Sequence, residues 1–361
     1  MVARIVALVC ALTISAQPAW ASPYWRQIQH DLAAKAYAND RFLYASRPNI
    51  NACQPGALTQ KAKDRALTGM NRIRALHSLS PVRYSSLYDQ SVQEAALIQA
   101  ANGYPGHRPS TSARCYTAAG AAASRTSNLN GYKSDTFRDW DPVSNIITWV
   151  RSPGHRRWVL NPFATYVSYG HIYGYGVQKT FAFDQEPAGS PFVAVDYVAF
   201  PYRTYPAVLM KDGPPWSFSV VENKTEAWKN KHPYFQLATV TVTRMTDGAP
   251  LPTGQVSENM IGPGVPNFLS WQVKGWEYDT PYQVTIRNVA MQTRQLRTYS
   301  YPVTITQTGH QPAPPTRTVQ REQQELTFPA PQQRVITREE RERESRAAAR
   351  AAQRLKQATQ R

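Results

Sequence analysis

The chain has 361 residues, of which 42% are apolar and 18% charged, and its formal net charge is +17. That apolar content supports packed cores and excludes a wholly disordered chain. The positive balance favours anionic surfaces over cationic ones, and no stretch reaches the roughly 20 apolar residues of a membrane-spanning helix.

The first 21 residues read as an export signal. Arg4 supplies the positive start, 5–14 is a short apolar run, and Ala19-Trp20-Ala21 is a small-residue cleavage pattern. The expectation is a secreted or periplasmic protein. Removing the signal leaves two cysteines, Cys53 and Cys115. In an oxidising compartment they are expected to form one disulfide, and closing a loop of about 60 residues is worth about 4 kcal/mol in the chain-entropy account.

Residues 22–56 form a lead-in with a helical stretch near 25–38, closed by a turn at Cys53-Gln54-Pro55-Gly56. An amphipathic helix is predicted over 59–77. Ala62, Ala66, Met70, Ile73 and His77 recur at three- and four-residue spacing, opposite Lys61, Lys63, Arg65, Arg72 and Arg74. Leu79-Ser80-Pro81-Val82 breaks it. A second helix, 86–102, is apolar over most of its surface and therefore buried; it stops at Asn102-Gly103. Residues 103–142 read as irregular, a third helix covers 143–150, and another starts at His155. From 166 to 200 the pattern changes to strands, including Phe192-Val193-Ala194-Val195 with Tyr197-Val198. Helices and strands share one unit, 57–200.

From 201 to 306 short alternating strands follow one another, as in Tyr282, Val284 and Ile286 or Tyr299, Tyr301, Val303 and Ile305. This predicts an all-β sandwich of immunoglobulin-like character. Residues 307–361 are a Pro-, Gln- and Arg-rich tail with no apolar stripe, read as disordered or as a solvated helix. The tail offers a contact to an anionic envelope surface; nucleic acid is not the expected partner.

Several segments, in order, carry a resemblance. They are Asn71-Arg72-Ile73-Arg74, then Leu79-Ser80-Pro81-Val82, Ala95-Ala96-Leu97, His107, and above all Gly154-His155-Arg156-Arg157-Trp158-Val159-Leu160-Asn161-Pro162. Together these resemble the CAP superfamily of cysteine-rich secretory, antigen 5 and pathogenesis-related proteins, over about 57–200. With the sandwich that follows, the whole is similar to a bacterial secreted subset. The resemblance implies an α+β fold, an α-β-α sandwich followed by the β-sandwich. It also implies a cleft lined by two His and two Glu that in some members holds a divalent metal. His107 and His155 match the family histidines, and Arg156 lies beside the second.

The sequence departs from the family at both acids. Ala121 or Ala122 stands where the first Glu belongs, and the helix before Gly154-His155 contains no acid. Asp135, Asp139 and Asp141 are the nearest carboxylates, at unsuitable spacing. Arg151, Arg156 and Arg157 add positive charge that opposes a cation. No resident cofactor is therefore expected, a weakly held zinc or other divalent ion on His107 and His155 being the alternative. A purely structural role for both rings is the competing account.

No catalytic residue is assigned. There is no G-x-S-x-G elbow, P-loop or dinucleotide fingerprint. The glycine-rich run at 170–176 reads as a β-turn, with His171 at the surface or approaching the cleft. Trp149, Trp158, Trp216 and Trp271 read as core, although aromatic residues of an exported protein also serve as stacking platforms. The expected function is a non-enzymatic binding module. Its cleft around His107, His155 and Arg156 would take an apolar, glycan or protein ligand. The alternative is a metal-assisted hydrolase of peptides or peptidoglycan, with Asp196 completing the ligand set.

Overall fold

The computed structural model describes residues 23–33, 40–131, 141–187, 192–259 and 266–307. The export signal and all but the first residue of the tail lie outside them.

The lead-in contributes α1 (Pro23–Leu32), α2 (Asp40–Leu43), β1 (Tyr44–Ser46) and β2 (Ala57–Leu58), with β1 and β2 antiparallel. Far from being a loose leader, it buries Trp25, Ile28 and Leu32 in the same core as the first long helix. That helix, α3 (Gln60–Leu76), starts where the Thr59 hydroxyl accepts the Ala62 amide and ends at His77. Asp31 of α1 pairs with Arg72 of α3 at 2.7 Å.

After β3 (Arg83–Tyr84) comes α4 (Asp89–Asn102), which stops at Gly103 in the left-handed conformation at φ 77°. The stretch read as irregular contains α5 (Ala118–Arg125), capped by the Thr117 hydroxyl on the Gly120 amide, and β4 (Ser127–Asn130). Then α6 (Pro142–Arg151) follows, its Val143 amide capped by the Asp141 carboxylate. Next come α7 (Pro153–Val159), β5 (Tyr166–Ile172) and β6 (Tyr175–Lys179).

These strands form one sheet in the order β3-β5-β6-β4, with β3 parallel to β5 and the other pairs antiparallel. Every residue of β5 is buried because the sheet is covered on both faces. Alternate side chains separate the layers. The Tyr169 ring meets Trp149 of α6 at 6.3 Å, whereas Ile172 joins a core with Val92, Leu97 and Ala123 of α4 and α5. A Cβ at Gly170 would sit 2.4 Å from the Val92 carbonyl oxygen, so only glycine lets α4 approach that closely. The result is helix, sheet and helix in three layers.

The strand expected to end this unit belongs to the next one. β7 (Tyr197–Phe200) pairs with β9 (Trp216–Val220), in the sheet completed by β12 (Thr253–Asn259) and β13 (Phe268–Val273). A buried apolar run reports burial but not which sheet it enters. The facing sheet has the order β11 (Pro250–Leu251), β10 (Thr239–Arg244), β14 (Pro281–Ala290), β15 (Leu296–Thr306) and β8 (Arg203–Pro206). Tyr197 meets Tyr301 at a tilt with centroids 5.8 Å apart and Phe218 stacks on the same ring at 6.1 Å, with Trp216 and Trp271 fully buried.

The two units share one core, and buried polar groups pin them together. His77, at the end of α3, bonds the Ala199 carbonyl at 2.7 Å and the Tyr205 hydroxyl at 3.0 Å. Arg156 of α7 donates to the carbonyls of Val150, Arg151 and Pro215 and to the Ser217 hydroxyl, and its guanidinium covers the Phe200 ring.

Candidate functional site

His107 sits in the loop after α4, with its backbone position set from two helices. Gln99 of α4 accepts the Gly106 amide and donates to the Ser124 hydroxyl at 3.1 Å. The Nδ1 of His107 lies 2.9 Å from the Ser124 carbonyl oxygen. A carbonyl only accepts, so Nδ1 is the donor in this bond. Gln99, buried beside Ile98 and Leu97 on α4, is the sequence signal for this support.

His155 lies in the first turn of α7 and is half-buried. Its backbone carbonyl accepts from the Asn128 side chain of β4 at 3.3 Å. Burial pulls the imidazole down to about 4, and charge on His107 acts in the same direction. Burial thus leaves His155 neutral at pH 7.

Carboxylates do not join them. Ala121 and Ala122 stand on α5, the first buried and the second exposed. Asp141 is committed to capping α6 and to an ion pair with Arg65 at 3.0 Å. Asp196 pairs with Lys224 at 2.7 Å and thus does not complete a ligand set with the histidines. Asp135 and Asp139 lie outside the described residues. Among the described residues no three His, Cys, Asp or Glu side chains come together as a metal site. Two imidazoles alone supply half of a tetrahedral zinc shell.

Arg156 is placed differently from its neighbour. Its side chain is 1% exposed and spends its donors on backbone and Ser217. It is a positioning residue for the junction, not a group that a ligand meets. Arg151 turns the same way, to the Val208 carbonyl and Asp212, and Arg157 lies over Phe268. A guanidinium beside a conserved-looking histidine in sequence says nothing of its direction on the helix. His171 is likewise neither at the surface nor in a cleft: it is fully buried between Asn145 and Tyr169, at 3.2 Å from each.

The remaining motif residues hold the frame. Asn71 exchanges two hydrogen bonds with the backbone of Val82, 2.9 and 2.8 Å long, and so fixes the break after α3. Arg74, fully buried, donates to the carbonyls of Ser80, Val159 and Asn161, which ties that break to the end of α7. The Cys53–Cys115 disulfide is present and joins the lead-in turn to the loop between His107 and α5.

The family model described as "CAP: Cysteine-rich secretory protein family" matches residues 67–185, from within α3 to the loop after β6. No curated protein matches the chain. The match takes in Asn71, Arg74, His107 and the whole of the segment from Gly154 to Pro162, the residues whose geometry is described above. Over residues 67–185 the chain carries a CAP domain.

Proposed function

We propose that this is an exported CAP-domain protein that binds a ligand at the surface around His107 and His155 and does not cleave it. The observation that supports this most is that His107 and His155 gather no third His, Cys, Asp or Glu side chain among the described residues, while burial keeps His155 neutral. The His107 ring, held in a fixed direction by Ser124, offers its Nε2 to a ligand. That suits recognition of a donor group on a ligand. Export is supported by the disulfide and by the export signal read from residues 1–21, and no helix among the described residues is long and apolar enough to cross a membrane.

The competing reading is a divalent-metal-assisted hydrolase. The purified mature chain should show no rise in Tm with Zn²⁺ and no chelator-sensitive cleavage of a peptide library or of peptidoglycan. A Zn²⁺-dependent rise that disappears in His107→Ala, together with such cleavage, rejects the binding-module reading.

A further inference from the structure

A concave surface lies where the CAP domain meets the sandwich. It is a groove of about 470 Å³, formed by the end of α7, the loop after β6 and the sandwich turn at Ala227–Asn230. Trp158 and Phe181 stack there with centroids 4.4 Å apart and planes 9° from parallel. Trp228 stands 61% exposed on the opposite unit. Phe183 adds a fourth ring, held by Tyr88 at 5.2 Å.

Polar groups are interleaved with these rings. Asp184 and Glu186 line the groove and take part in no salt bridge among the described residues, although Lys179 senses the charge of Asp184. Asn161, largely buried, accepts the Phe163 amide on its side-chain oxygen, and its amide nitrogen has no hydrogen-bond partner among the described residues. An exposed tryptophan, a stacked aromatic pair and unspent acceptors and donors in one groove form a binding surface rather than leftover core.

The chemistry selects among occupants. A lipid chain would bury the rings and strand both carboxylates. A basic peptide would meet the carboxylates but must approach a chain of net charge +17. An anionic polysaccharide is attracted from afar and repelled at Asp184 and Glu186. A neutral oligosaccharide satisfies everything. Its C–H faces cover aromatic rings, its hydroxyls donate to the carboxylates, and its oxygens accept from Asn161.

We propose that this groove, walled by Trp158, Phe181 and Trp228 and edged by Asp184 and Glu186, binds a neutral oligosaccharide. The site is separate from the histidine pair and does not rest on its role. Cellotetraose and tetra-N-acetylchitotetraose are the probes, titrated into the mature full chain and followed by tryptophan fluorescence. At least one should give saturable binding. Trp228→Ala, which removes an exposed side chain and leaves the core intact, should weaken it at least about tenfold, as should Asp184→Asn combined with Glu186→Gln. The proposal is overturned if neither tetrasaccharide binds, or if Trp228→Ala binds as tightly as the parent.

Discussion

The Tyr205 hydroxyl donates to Nε2 of His77 across 3.0 Å, while Nδ1 of the same ring donates to the Ala199 carbonyl. A residue of the CAP domain thus has both its nitrogens consumed by the sandwich. With its proton on Nδ1, the neutral ring presents its Nε2 lone pair to the Tyr205 hydroxyl. Burial lowers its pKa to about 3, and Arg156 and Arg74 push it in the same direction.

Acid should therefore loosen the junction. In the unfolded chain residue 77 binds a proton near the ordinary histidine value of 6.5, and in the native chain only near 3. Between those values the unfolded state holds the extra proton, so stability falls as pH falls, by up to roughly 1.4 kcal/mol per pH unit from this group. His155, lowered to about 4, adds a loss of the same sign over a narrower window. Urea denaturation from pH 7 to pH 4 should show this slope. His77→Gln should flatten it; an unchanged slope would mean that other groups carry the acid sensitivity.

Arg156→Met should destabilise the chain by about 3 kcal/mol or more, because it leaves buried carbonyls of Val150, Arg151 and Pro215 without their donor. Arg156→Lys should recover little, since one ammonium cannot reach acceptors spread around a planar fork. Equilibrium denaturation measures both. Near-parental stability in Arg156→Met would contradict the positioning role.

Reducing the disulfide, or replacing both Cys53 and Cys115 by Ser, should cost about 4 kcal/mol at most, by the entropy of a loop of 62 residues. Because the bridge anchors the segment between His107 and α5, hydrogen exchange should speed up first in residues 104–117. Uniform acceleration across the domain would show that the bridge acts on the whole fold instead.

Gly170→Ala should lose roughly 1–3 kcal/mol by overpacking. Its new methyl would press on the backbone of Val92 and Gln93, atoms that no rotamer change can clear. Gly213→Ala meets no atom within 4 Å, although its φ of +59° still adds some strain. Thermal unfolding should place the Gly170 variant well below the Gly213 variant.

The helices that bury one stripe were legible from spacing alone. α3 begins and ends where Thr59 and His77 predicted, and α4 stops at its glycine. α5 escaped notice because Ala118–Arg125 has small residues on every side and no stripe to read; only the Thr117 cap marked its start. The expectation that His107 and His155 share a cleft came from the family resemblance and not from any local pattern. The direction of Arg156 was not legible, because adjacent positions on α7 face different neighbours: His155 is half-buried while Arg156 is sealed against Phe200. Trp158 sits in an apolar-looking string like the three buried tryptophans, yet it opens onto a groove. Its exposure depends on what the sandwich brings opposite, and that is a property of the assembled molecule.

The parallel partnership of β15 with β8, Val303 beside Arg203, means the sandwich's last strand closes against one of its first. Contacts so remote along the chain are formed late. A ribosome or export machinery feeding this polypeptide forward delivers β8 long before its mate. A product cut short before residue 296 would therefore present an unzipped sheet edge to its surroundings, with the CAP domain already made and nothing to finish it.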